Sequence, residues 1–168
     1  NTAKSRAFSL ETLYALGRVD EIYNRIEMQA ELDDENIRVA AFSAFISELT
    51  KKNTAHNFCR RPLSFLHFSN ISSHLEDVSL FAKGLIEELD EIEAIWEPNR
   101  RSAVKGFTTL TGVNLFESPS GKIAQLKSII LNELETYYFK YQNESCSYIQ
   151  KWPSEKNLHG WHVVLKSQ

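Results

Sequence analysis

Residues 158–165 read Leu158-His159-Gly160-Trp161-His162-Val163-Val164-Leu165. From Trp161 onward, Trp161, Val163 and Leu165 alternate with His162, Val164 and Lys166. That two-residue period predicts a strand with two distinct faces. A strand exposes N–H and C=O groups that need a sheet partner. The nearest candidate is Lys105 to Leu110, where Phe107, Thr108 and Thr109 follow Val104 and are β-prone. Thr111-Gly112 then signals a turn or bulge. Two such strands make at most a ribbon that is marginal by itself. The sheet is therefore expected to continue beyond Gln168, or to be completed by a partner chain or a second copy.

Upstream, the apolar period changes to that of helices, and the expected fold class is α+β. Ala3 to Leu16 carries Phe8, Leu10, Leu13 and Tyr14, with Gly17 as its stop. A second helix is expected from Val19 to Leu32, with Ile22, Tyr23, Ile26 and Ala30 on one stripe. Asp33-Asp34-Glu35-Asn36 offers a cap and acids suited to a helix N-terminus. The third helix should bury Ile37, Ala40, Ala41, Ala44, Phe45 and Leu49. Pro62 breaks the helical pattern between Asn53 and Ile71. A further helix is expected from Glu76 to Ile95, with Val78, Phe81, Leu85, Ile86, Leu89 and Ile92 inward and Pro98 at its exit. The last long helix should run from Ser118 (N-cap) and Pro119 to Tyr141, burying Ile123, Leu126, Ile130, Leu134, Tyr137 and Tyr141. These changes in character divide the chain into 1–52, 53–98 and 99–168.

Composition bounds the function. The chain has 168 residues, 42% of them hydrophobic and 24% charged, with net charge -3. Those values suit a folded domain and leave no basic excess for nucleic acid. The pairs Lys51-Lys52, Arg60-Arg61 and Arg100-Arg101 read as solvated surface. No apolar run is long enough to span a bilayer, and no signal peptide is seen. Cys59 and Cys146 lack paired spacing and are expected to be reduced thiols in a cytoplasmic protein. The sequon Asn143-Glu144-Ser145 is then without consequence.

Few residues suggest chemistry. His159 and His162 are three apart, which on a strand sends them to opposite faces, so a shared metal is not expected. His162 shares a face with Val164, and these two are the candidate pocket-lining residues. His56, Cys59, His67 and His74 lack the paired spacing of a zinc site. Glu87, Glu88, Asp90, Glu91 and Glu93 read as a solvated helix face. Phosphate-cradling glycine motifs and a nucleophile elbow are absent from the sequence. Trp96, Trp152 and Trp161 read as packing residues. No catalytic residue and no metal ligand is assigned.

Two resemblances add to this reading. Leu13 to Ile22 resembles the turn between the helices of a tetratricopeptide repeat, and Asp33 to Ala41 the passage into the next repeat. From about residue 50 on, the chain resembles iron(II)/2-oxoglutarate-dependent oxygenases that follow tetratricopeptide repeats in bacterial proteins. The matching stretches are Asn57-Phe58-Cys59, Pro62-Leu63-Ser64-Phe65, Ile95-Trp96-Glu97-Pro98, Gly106 to Phe116 and Leu158 to Leu165. The resemblance implies the start of a double-stranded β-helix (jelly roll), with Fe(II) and 2-oxoglutarate as cofactors of the parent protein. In that family a His-x-His or His-x-Asp segment follows the last strand. This sequence stops before it, so no ligand position transfers, and neither cofactor is expected on this chain alone. The rival expectation is a non-catalytic helical-repeat module with a protein partner on its helical region. A third is an oxygenase fold kept as scaffold.

Overall fold

The computed structural model describes residues 2–97, 106–110 and 112–165. Pro98, Arg100-Arg101, Val104, Lys105, Thr111 and Lys166, on which the sequence reading draws, lie outside these residues. The described elements are α1 (Ala3–Ala15), α2 (Val19–Met28), α3 (Ile37–Thr50), two 3-10 turns (Pro62–Phe65 and Ile71–Ser73), α4 (Val78–Asp90), β1 (Ala94–Glu97), β2 (Gly106–Thr109), α5 (Gly121–Tyr141), α6 (Ser147–Gln150) and β3 (Val163–Val164). The fold is α+β. The chain forms two compact units: Asn1–His67 with Tyr138–Trp152, and Phe68–Tyr137 with Pro153–Gln168. They cut across the sequence segments 1–52, 53–98 and 99–168, because 138–152 belongs with the first 67 residues.

The helical unit is built on α1, α2 and α3. Thr2 caps α1 by accepting the Ser5 N–H, while the Ser5 hydroxyl accepts the Thr2 N–H at 2.9 Å. This reciprocal box satisfies two donors that no helical carbonyl can reach. Gly17 ends the helix at φ +70°, a left-handed conformation that suits glycine. Ala7, Leu10 and Leu13 then meet Ile22, Ile26, Val39 and Ile46 in one buried cluster. The α3 face differs from the expected one. Val39, Ala40, Ser43, Ala44 and Ile46 are buried, whereas Ile37, Phe45 and Leu49 are exposed. A helix with apolar residues all round does not reveal its inner face by period alone. α2 also stops at Met28, not Leu32, and turns lead to α3.

A polar network closes this unit. Arg6 and Asp33 are both buried and paired, Nε to Oδ1, at 2.8 Å. The Asn36 amide donates to the same Oδ1 at 2.8 Å and to the Ala3 carbonyl at 3.0 Å. Asp33 is thus a buried ion-pair partner, and Asn36 is the cap of α3. His56 is buried beside it. Its Nδ1 accepts the Phe58 N–H at 3.2 Å, so the proton sits on Nε2, which donates to the Asp33 carbonyl at 3.0 Å.

The sheet unit holds a three-stranded antiparallel sheet in the order β1-β2-β3. The expected ribbon therefore has an extra strand. β1 contains Ala94 and Ile95, which the helical period assigns to the end of α4; that helix ends at Asp90. The start of α5 also differs. Ser118 has φ +51° and is not the cap. The Glu88 carboxylate of α4 instead accepts the N–H of Lys122 at 2.6 and 2.7 Å and of Ile123 at 3.0 Å. Charge and hydrogen bonding both favour a carboxylate there. Glu88 is thus a structural cap, not part of a solvated face.

Candidate functional site

The site is set by strand register. Trp96 faces Phe107, Ala94 faces Thr109, and Phe107 faces Val164 across the sheet. Side chains directly opposite share a face, and so do residues two apart on a strand. Ala94, Trp96, Phe107, Thr109 and Val164 therefore point one way, and His162 points with Val164. The Trp96 and Phe107 rings meet edge to face, with centroids 5.2 Å apart.

His162 lies just before β3 and is fixed by Thr109. The Thr109 N–H donates to the His162 carbonyl at 3.2 Å, and the His162 N–H donates to Thr109 Oγ1 at 2.9 Å. The same Oγ1 lies 2.9 Å from His162 Nδ1. Two of these contacts fix the backbone of His162, and the third orients its ring through Nδ1. Its Nε2 is buried and has no hydrogen-bond partner among the described residues. A buried polar atom in that state costs about 1–3 kcal/mol and calls for a reason.

Asn114 positions the approach to this histidine. Its amide donates to the Leu158 carbonyl at 3.0 Å, and its Oδ1 accepts the Gly160 N–H at 2.9 Å and the Phe116 N–H at 3.1 Å. Leu115 N–H adds a bond to the Gly160 carbonyl at 2.9 Å. A Cβ at Gly160 would come within 2.7 Å of the Phe116 ring, so only glycine lets these segments lie this close.

An open groove of about 430 Å³ lies against this face. Phe107, His162, Val164 and Ala94 form one wall, and Leu89, Asp90, Glu91, Ile92 and Glu93 from the end of α4 and the following turn form the other. The two candidates, His162 and Val164, are thus brought together on one groove. Thr109, which orients the ring, and the three carboxylates at the rim had no assigned part in the sequence reading of a pocket.

The other candidates do not assemble. His159 is exposed and its ring lies beside Trp161 at 6.2 Å. His56 is consumed by the Asp33 network, and His74 pairs with Glu133 at 2.5 Å. Among the described residues no group of three or more His, Cys, Asp or Glu side chains is arranged to hold a metal.

The groove can be tested against the cofactors that the oxygenase resemblance implies. Such an iron is held by two histidines and a carboxylate, with open positions beside them. The groove supplies one imidazole, whose Nδ1 already meets Thr109. A dicarboxylate such as 2-oxoglutarate calls for a cationic partner. The described lining has three carboxylates and neither lysine nor arginine. These residues fit neither group.

Comparison of the chain with protein-family models, with curated proteins and with solved structures finds no match. Among the described residues no helix is long and apolar enough to cross a membrane.

Proposed function

We propose that this chain is the tetratricopeptide-like helical region and the first sheet of a cytoplasmic iron(II)/2-oxoglutarate-dependent oxygenase, and that it contributes scaffold, not metal ligands. The observation that carries this reading is the clamped sheet, β1-β2-β3, with the long helix α5 inserted between its second and third strands. A jelly roll has about eight strands. The reading therefore requires further strands beside this sheet, and the metal-binding segment among them. His162 and Val164 would then form one wall near the cofactor pocket, with Thr109 and Asn114 holding that wall in place. The cytoplasm supplies the reducing conditions that such an iron needs.

The test is uncoupled turnover by the full-length gene product. Incubated with Fe(II), oxygen and 2-oxoglutarate, it should release succinate, and omission of Fe(II) should abolish the release. Absence of both succinate formation and iron binding would overturn the proposal.

The interaction-module alternative has its own supporting observation. Tyr14, Phe42 and Phe45 form a ring cluster with centroids 5.3 to 6.1 Å apart, and Tyr14 and Phe45 remain exposed. Loss of binding to a protein partner on Phe45→Ser, in a protein without 2-oxoglutarate turnover, would favour it.

A further inference from the structure

The groove beside β2 and β3 lies within the sheet unit, and its charge is one-sided. Its described lining carries Asp90, Glu91 and Glu93 with neither lysine nor arginine. Among the described residues these carboxylates form no ion pair. Two of them also stand where their sign is unfavourable. α4 ends at Asp90, with Glu91 as its C-cap and no basic residue in its last turn. The C-terminus of a helix carries partial negative charge and favours a cation. The side chains and the helix end thus call for the same thing. The opposite wall is apolar. It is formed by Val164 and by Phe107, whose ring the Trp96 ring meets edge to face.

His162 adds an acceptor to this wall. Thr109 Oγ1 accepts the His162 N–H at 2.9 Å, lies 2.9 Å from Nδ1 and lies 3.4 Å from the His162 carbonyl. A hydroxyl has one proton and two lone pairs. All three contacts are satisfied together only when Nδ1–H donates to Oγ1 and the hydroxyl donates to the carbonyl. Nε2 is then a bare lone pair, buried and without a partner among the described residues. What the groove lacks is a donor.

We propose that this groove binds an arylalkylamine, a primary ammonium group on a short chain that ends in an aromatic ring. The ammonium lies among the carboxylates at the end of α4, and the ring covers Phe107 and Val164. An ammonium has three N–H donors and no acceptor, which suits carboxylates and an imidazole lone pair. The ring gains the contact that aromatic pairs make. The volume of about 430 Å³ is that of a small-ligand site. A metal ion fits less well, because among the described residues no three His, Cys, Asp or Glu side chains are arranged to hold one. This binding needs only residues of this chain, and it stands or falls apart from the oxygenase reading.

The test is an NMR titration of the chain with phenethylamine at neutral pH, read at the backbone amides and the imidazole nitrogens. Saturable shifts are expected at residues 89–94, at Phe107 and at both ring nitrogens of His162. Phenylacetate has a similar body and the opposite charge, and should leave these signals in place. Butylamine, which has the charge without the ring, should bind more weakly. Magnesium chloride alone should not reproduce the shifts. Glu91 and Glu93 are exposed, so Glu91→Gln combined with Glu93→Gln should leave the fold intact. That double variant should bind phenethylamine about three- to tenfold more weakly. The proposal is overturned if phenethylamine gives no saturable shift in the groove. It is also overturned if phenylacetate or butylamine binds as tightly, if magnesium alone gives the same shifts, or if the double variant keeps the full affinity.

Discussion

The helical unit and the sheet unit reach order by different means. In the first, α1, α2 and α3 close a cluster of buried aliphatic side chains over a buried ion pair. In the second, the described residues bury Phe81 and Ile129 among apolar side chains, together with Thr108 and Thr109. Most apolar residues of α5 are only half-buried. Polar clamps do there what a core does elsewhere: Glu88 on α5, Asn114 on 158–160, and Thr109 on His162. A unit held by clamps keeps a defined surface while leaving apolar area for something else to cover. That contrast is what the oxygenase proposal uses, since it requires more sheet beside these strands.

The largest effect is expected in the helical unit. Asp33→Ala leaves the buried Arg6 without its counter-charge and should cost about 3–5 kcal/mol in urea unfolding. A cost near zero would mean that the network is not what closes this unit. The next effect belongs to the sheet. Thr109→Val removes the hydroxyl that meets His162 Nδ1 and should cost about 1–3 kcal/mol. The same variant should shift the ring-nitrogen NMR signals of His162, because the contact that fixes its tautomer is gone.

A smaller effect separates the expected cap from the observed one. Glu88→Ala should destabilise by about 0.5–2 kcal/mol, as loss of a helix cap does, while Ser118→Ala should be close to neutral. The reverse order would restore the sequence assignment of the cap. The smallest effect concerns Asp34. A hydrogen bond from the exposed Lys151 holds its carboxyl below the ordinary range. The depressed pKa adds stability that is complete above the ordinary carboxylate pKa and is lost as pH falls through the lowered one. In Lys151→Met the Asp34 titration, followed by NMR, should move up toward the usual value.

Much of the fold is legible where a single period runs unopposed. α1 with its glycine stop, the strand at Phe107 to Thr109, and the body of α5 all follow from spacing. β1 is hidden because Leu85, Leu89 and Ile92 carry a helical period up to it, and four residues are too few to announce a change. The caps show a second limit. Glu88 lies 33 positions from Gly121, where α5 begins, so local sequence rules favour Ser118 instead. Asp33 fails in the same way: its sequence neighbours suggest a cap, while its partner is Arg6. Of the site, alternation alone puts His162 and Val164 on one face. The choice of that face over the other, and the part played by Thr109, depend on register with β2, which spacing within one strand does not contain.

Iron binding tests the central claim most directly, measured anaerobically by equilibrium dialysis of Fe(II) with 2-oxoglutarate against this chain and against the full-length gene product. The account predicts stoichiometric iron on the full-length protein and none held tightly by residues 1–168. Tight, stoichiometric binding by this chain, or none by either, would contradict it.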